Sequence, residues 1–541
     1  MRLLYSLALC TLFILAAIIL RDKLSFTLII ILMETTDKLE WLKCKRYMHL
    51  DLPIEGKQRN RIISYVQNPK AVSKHAFLPL IRRTMVSYPY KINEEGKRVC
   101  KPKARLLTYA SHEDSAIFAY YAYKLQGKYE DYLSQHDLGD VVTAYRKIPC
   151  DSRGGNKCSI DFANDVFQYI KTKLVSDKEL AVITFDIQRF FDNLDHKLLK
   201  QNWTRILDMP ELSSDEYAIY KNVVHYSYVD DLAVYKLYKN NIVCRKNNGE
   251  LVKRRVSNKA FLRDKRAMAY CMKENIQQIR NSGLIKTKRK AKEPNIGIPQ
   301  GLPISSVLAN LYMMDFDLEV KQKIQEYNAF YRRYSDDIII VCPVDKGEEL
   351  KFWIQTKIKE VKLEIQESKT NLFIFSTGDF GTKCEHSVYG CHKKLEYLGF
   401  SFDGTNILLK NSSVGKFYYK MHKSVQRAIY YACHMNNKTR GKVFEYRLIS
   451  RYTYAGSKTH QIYKRSAKSK RFYTMKGMKT YGNYLTYVSK AYNIMNEPKI
   501  PKQLRRCTNK LNKSIKVAKQ RISYNLRQKA LNDFAKYGRV Y

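Results

Sequence analysis

A pair of adjacent acids between two strand-forming runs constrains this chain more than any other feature. Phe330 to Cys342 reads Phe-Tyr-Arg-Arg-Tyr-Ser-Asp-Asp-Ile-Ile-Ile-Val-Cys. The aromatic and β-branched residues on either side favour strands, so Asp336 and Asp337 fall at the tip of a tight hairpin. Two carboxylates beside a sheet are costly to bury unless a positive charge compensates them. A divalent cation would supply that charge. An ordinary Asp-Asp turn would need none, and the rest of the chain decides between the two.

Leu180 to Leu198 is the second informative stretch. An apolar strand ends at Asp186, the chain turns through Phe190 and Phe191, and a helix begins near Leu194. One acid at the end of a core strand and an acidic pair on a later hairpin can assemble a two-metal site. Two Mg²⁺ ions about 4 Å apart need carboxylates from different strands to bridge them. Between these stretches, Gly297 to Ser306 forms a Pro/Gly-rich turn leading into a helix that Ser305 or Ser306 is placed to cap. Gly301 allows close approach of backbone to a ligand, and Gln300 offers a donor and an acceptor beside the turn.

The remaining segments carry softer signals. Glu34 to about Pro89 is expected to be mixed and mainly helical, with a break at Pro53. Ser111 followed by Asp114 predicts a capped helix start, with Ile117, Tyr120, Tyr121 and Leu125 as its core stripe. Val141 to Cys150 predicts a short strand that delivers Arg146 and Lys147, adjacent cations able to grip a triphosphate. Ser159 is placed to cap a helix over Asp161 to Leu174. After the hairpin, Phe352 to Lys362 reads as helix, and the chain up to Phe375 returns as a strand with Lys369 before it. Asn202 to Glu293 is long for a connection and carries Lys253-Arg254-Arg255 and the basic run Lys286 to Lys292. It reads as a solvated face or as the wall of a nucleic-acid channel.

Charge favours the channel. The chain has 97 Lys+Arg against 51 Asp+Glu, a net charge of +46. That is far beyond what solubility needs and points to a polyanionic partner, most simply nucleic acid. The excess is densest after Lys410, where basic residues interleave with tyrosines at helical spacing, a pattern suited to stacking and backbone contact. Twelve scattered cysteines show no disulfide framework and suit a reducing cytoplasm. Cys384, His386, Cys391 and His392 offer zinc-type donors, but not at the spacing of a finger or knuckle; an ordinary hairpin is the simpler reading. At the N-terminus, Leu3 to Leu20 is uncharged and just long enough to span a bilayer. It reads as a membrane anchor, or as sequence upstream of a true start at Met33.

Together the motifs resemble a bacterial reverse transcriptase of the intron- and retron-like lineage, over roughly residues 100 to 405. Asp186 to His196 is similar to the first palm motif, Pro299-Gln300-Gly301 with Ser305 to the second, and Tyr334-Ser335-Asp336-Asp337 to the third. Lys369 resembles the later palm lysine, and Leu398-Gly399-Phe400 the primer-grip turn. The resemblance implies an α+β right-hand polymerase fold, with fingers, an antiparallel-sheet palm and a mainly helical thumb-like C-terminus. The corresponding division is 1–33 as the apolar segment, 34–180 as N-terminal helices and fingers, 181–405 as palm with a basic insertion at about 202–295, and 406–541 as the basic thumb and RNA-binding region.

The resemblance also assigns roles. Asp186 and Asp336 would hold two Mg²⁺ (or Mn²⁺) ions with Asp337 supporting. Phe191 would exclude a ribose 2′-hydroxyl, Gln300 and Gly301 would line the nucleotide pocket, Arg146 would bind the triphosphate, and Lys369 would protonate the pyrophosphate leaving group. The implied partners are an RNA template, a DNA product and dNTPs, with a homo-oligomer compatible with the sequence. Ser111 to Ala122, Ala144 to Lys147 and Ile160 to Phe167 look like the defence-associated (unknown-group and abortive-infection) reverse transcriptases, which act against phage with a noncoding RNA. Some relatives prime from a protein hydroxyl, for which Tyr541 is available. A retron or group II intron enzyme is the alternative with the same chemistry, and a catalytically idle RNA-binding scaffold is the alternative without it.

Overall fold

The structure is a computed structural model. It describes residues 40–537 apart from 57, 89, 93–97, 101, 273–274, 289–294, 380, 435–439, 458, 466–472 and 481. The apolar segment 1–33, both candidate start residues, the end of the 286–292 basic run and Tyr541 lie outside the described residues.

The apolar run before Asp186 becomes the middle strand of a five-stranded sheet. Its strands are β1 (Glu179–Asp186), β2 (Phe330–Tyr334), β3 (Asp337–Cys342), β4 (Asn371–Gly378) and β5 (Gly381–His386). They lie in the order β2-β3-β1-β4-β5, and every neighbouring pair is antiparallel. Alternate side chains of β1 enter two different cores. Ala181, Ile183 and Phe185 face one, and Leu180 and Val182 face the other. A strand covered on both faces has no polar side, which is why this run reads as unbroken apolar sequence.

The first core is built by helices α1 (His112–Gln135), α3 (His196–Ile206), α4 (Ser305–Tyr312), α5 (Met314–Gln325) and α6 (Gly347–Glu360). Helix α2 (Ser159–Asp177) covers the opposite face. It shares that core with a three-stranded meander over 395–409 and with helices α7 (Asn411–His434), α8 (Tyr484–Met495) and α9 (Cys507–Tyr537).

The long 202–295 segment is folded rather than a loop. Ser227–Asp230 pairs in parallel with Leu80–Ser87, which pairs with Lys103–Tyr109. A second small sheet joins Ile242–Arg245, Leu251–Arg254 and Ala267–Ala269. Val229, Tyr235, Ile242 and Tyr270 bury a core of their own together with Met48, Leu50 and Ile81.

Several local expectations are corrected. Residues 41–49 contain no helix, and among the described residues only Gln58–Val66 and Pro69–Ser73 are helical before the strand at Leu80. Ser111 does cap α1 by accepting from the Asp114 amide, but the Asp114 carboxylate turns to His75 and the Leu78 amide. Cys158, not Ser159, is the cap of α2, and Asp161 reaches back to the Cys158 amide. Neither Ser305 nor Ser306 caps α4; the Ser305 hydroxyl donates to the Pro299 carbonyl at 2.7 Å instead.

Candidate active site

The acidic hairpin forms as expected. Strand β2 ends at Tyr334, β3 begins at Asp337, and Ser335-Asp336 is the two-residue connection. Antiparallel register places Asp337 directly opposite Asp186, so two of the three acids face each other across adjacent strands. The Ile187 amide donates to the Asp336 carbonyl at 3.0 Å, tying the turn to the end of β1.

This grouping is electrostatically unfavourable without a cation. Burial, and then the neighbouring Asp186, raise the Asp336 carboxyl above the ordinary range. Burial, Asp336 and Asp186 push Asp337 up to about 7, against a weaker downward pull from Lys369 and Lys410. Lys369 donates to Asp186 Oδ1 at 2.6 Å. It reaches that carboxylate because the Gln366 amide donates to the Asp186 carbonyl at 2.8 Å, pinning the 367–369 turn beside the strand end.

The donor set fits divalent cations: hard carboxylate oxygens brought together from neighbouring strands, with Asp336 and Asp337 raised in pKa by burial and by the neighbouring acids, and Asp186 already holding a cationic side chain. Among the described residues, however, no three His, Cys, Asp or Glu side chains stand close enough together to hold one ion. Of the three aspartates, Asp186 has its carboxylate engaged by Lys369. In the cysteine–histidine group, Cys391 Sγ lies 3.7 Å from Glu385 Oε1. Cys384 is buried opposite Phe375, and His386 accepts from the Val388 and Tyr389 amides.

Phe191 and the Pro299-Gln300-Gly301 segment are brought together. Phe191 is half-buried on the single turn Phe190–Asn193 after β1, and its carbonyl accepts from the Ile298 amide at 2.8 Å. The Gln300 carbonyl in turn accepts the Thr108 amide at 2.9 Å. Gly301 has φ +123°, and a Cβ there would lie 2.4 Å from the Thr108 carbonyl oxygen. The close approach that this glycine permits is therefore to the chain's own 103–109 strand.

Arg146 is not at the end of a strand. Residues 141–148 run as turns with a single bridge from Val142 to Arg333. The side chain is 8% exposed, and its donors are already used on both Glu130 carboxylate oxygens and on the Gly139 and Val142 carbonyls. Its neighbour Lys147 pairs with Glu40. Other cations line a cavity of about 1530 Å³: Arg82 and Lys259, which pair with Asp230 and Asp231, and Arg83, Lys236, Arg263 and Lys265. Gly301, Pro303 and Ser306 share its wall with Asp230, Asp231 and Asp264, whereas Asp186, Asp336 and Asp337 lie outside it. Only the folding of 227–287 against 80–109 gathers those cations, so no local spacing announces them.

Residues 255–402 match the family described as reverse transcriptase (RNA-dependent DNA polymerase). This segment is similar to reverse transcriptases. The matched segment includes Gln300, Gly301, Asp336, Asp337 and Lys369, and it indicates an RNA-directed DNA polymerase. It begins after Arg146, Asp186 and Phe191. No curated protein matches the chain. Solved structures to which it is similar include apo telomerase from Candida tropicalis truncated from its C-terminal domain, at 10% identity and a TM-score of 0.34, covering 65% of this chain and 59% of that one. Telomerase from Candida albicans in complex with a TWJ fragment of telomeric RNA aligns at 12% identity and a TM-score of 0.32, covering 72% and 57%. The chain thus spans less than two thirds of the length of these structures.

Proposed function

We propose that the whole chain synthesises DNA on an RNA template by two-metal nucleotidyl transfer, with the five-stranded sheet as palm, the 80–109 and 227–287 sheets as fingers, and the C-terminal helices as thumb. The observation that carries this reading is the register of β1 against β3, which sets Asp186 opposite Asp337 beside the Asp336 turn. Asp186, Asp336 and Asp337 would hold the ions. When bound, divalent cations lower the pKa of an attacking 3′-hydroxyl and offset charge on the triphosphate.

The chain's own groups do the rest. Lys369 donates to Asp186 Oδ1, and its ammonium would give a proton to the departing pyrophosphate. Phe191, whose carbonyl accepts from the Ile298 amide, would set its ring against the sugar of the incoming nucleotide and so select deoxyribonucleotides. Gln300 and Gly301 shape the nucleotide pocket. The basic cavity, rather than Arg146, supplies cations for phosphate groups.

The template we favour is a structured noncoding RNA and the setting antiphage defence, which rests on the resemblance of 111–122, 144–147 and 160–167 to defence-associated enzymes. The deciding experiment purifies the chain with its bound RNA, supplies labelled dNTPs, and repeats the assay with Asp336→Ala plus Asp337→Ala. Incorporation should vanish; if it survives in the double variant, the site is wrong. Sequencing the co-purifying nucleic acid tests the template: a random sample of cellular RNA would refute a dedicated noncoding partner.

A further inference from the structure

Beneath the Asp336–Asp337 turn lies a charged network that none of these roles uses. Arg333 on β2 and Asp317 on α5 are both 0% exposed. Arg333 Nε donates to Asp317 Oδ1 at 2.8 Å and Nη2 to Oδ2 at 2.6 Å, a bidentate pair, and the Tyr331 hydroxyl adds a third bond to Oδ1 at 2.7 Å. A pair at this depth loses much hydration, and well-packed apolar residues often serve stability as well or better. Stability alone is therefore a weak reason for it.

The third nitrogen of the guanidinium points to a more specific task. Nη1 donates to the Ser335 carbonyl at 3.2 Å and to Asn310 Oδ1 at 3.2 Å. Ser335 has φ +61°, the left-handed region that residues with a Cβ enter at a cost, and Asp336 is the next residue. Asn310 extends the grip by donating from Nδ2 to the Ala144 carbonyl at 3.0 Å. The Tyr145 hydroxyl lies 3.1 Å from the Ser335 hydroxyl. The turn is held from below through its backbone and from the side through its hydroxyl.

We propose that Arg333, anchored by Asp317, is a positioning residue for nucleotidyl transfer, holding the strained Ser335–Asp336 turn so that the Asp336 carboxylate is presented to the metal ions. This rests on the reading of Asp186, Asp336 and Asp337 as the metal centre. The planar fork matters as well as the charge. It serves Asp317 with two nitrogens and the turn with the third, which a lysine at this position could not do.

The test uses the full chain carrying Arg333→Lys, with and without Ser335→Gly. Arg333→Lys should lower kcat for dNTP incorporation about tenfold or more while KM for dNTP stays within about twofold. Calorimetric titration with Mn²⁺ alone, a readout independent of turnover, should show affinity falling by about tenfold. Glycine adopts φ +61° without a clamp, so Ser335→Gly should restore a large part of both losses. Unchanged kcat and Mn²⁺ affinity in Arg333→Lys overturn the proposal. So does a loss in both that Ser335→Gly leaves untouched, since that marks a packing role. Should Arg333→Lys fail to fold, Asn310→Ala replaces it, with a smaller loss in both readouts expected and no loss counting against the idea. A wild-type chain that binds Mn²⁺ through Asp336 yet incorporates nothing refutes the polymerase reading, while the Mn²⁺ comparison still judges Arg333.

Discussion

Asp337 shows how much of this centre is held against its own electrostatics. Its carboxyl is pushed up to about 7 by burial and by two neighbouring acids. The unfolded chain would lose that proton near the ordinary value of 3.8. Between those two values the folded state binds more protons, so stability falls as pH rises through the window, and the penalty is complete above about 7. In chelator, Asp337→Asn should therefore melt higher than wild type at pH 8, with the gap closing towards pH 5. A gap that does not depend on pH, read by scanning fluorimetry, would show that the acids are not coupled as described. Saturating Mg²⁺ should shrink the gap at pH 8, because a bound cation removes the same penalty. On the proposed reading, Phe191 is the residue that would select the sugar. Phe191→Ala should raise ribonucleotide relative to deoxyribonucleotide incorporation, and unchanged sugar selectivity in competition assays would sink its assignment.

At the scale of elements, the site is the meeting of one hairpin, one strand end and one loop. The hairpin was legible because Tyr334 and Ile338 flank an acidic turn with strand-forming residues on both sides. The helix start at Ser305 was legible as a position but not in its chemistry, since the Ser305 hydroxyl serves the Pro299 carbonyl. Gly301 is where loop and strand touch. Its φ of +123° and the 2.4 Å spacing to the Thr108 carbonyl leave no room for a methyl group. Gly301→Ala should cost about 1–3 kcal/mol in denaturant unfolding and detach the 103–109 strand from the Gln300 carbonyl. Incorporation should fall through a higher KM for dNTP. A variant with wild-type stability and KM would show that the loop moves freely at that contact.

At the scale of the whole molecule, charge sets behaviour. A net charge of +46 and a basic cavity of about 1530 Å³ fit a partner held through many phosphates. Each neutralised phosphate on a single strand contributes about −0.7 to the slope of log K against log salt. Binding of RNA by the full chain should therefore weaken steeply with salt, with a slope steeper than about −4, as measured by fluorescence anisotropy between 50 and 200 mM salt. A flat dependence would point to a partner other than a polyanion. No helix among the described residues is long and apolar enough to cross a membrane.

What the sequence determined by itself is local and periodic. It specified the acidic hairpin, the strand that ends in Asp186, the Pro/Gly loop around Gln300 and the excess of positive charge, because each is written within about a dozen residues or in composition. The tertiary structure decided what depends on partners far away along the chain. It set Asp337 opposite Asp186, turned Arg146 onto Glu130, spent the freedom of Gly301 on Thr108, and buried Arg333 against Asp317 under the turn. The reason is physical. A side chain's reach and a backbone's strain are inscribed locally, but whether a charge meets solvent, an opposite charge or a ligand depends on which elements fold against it.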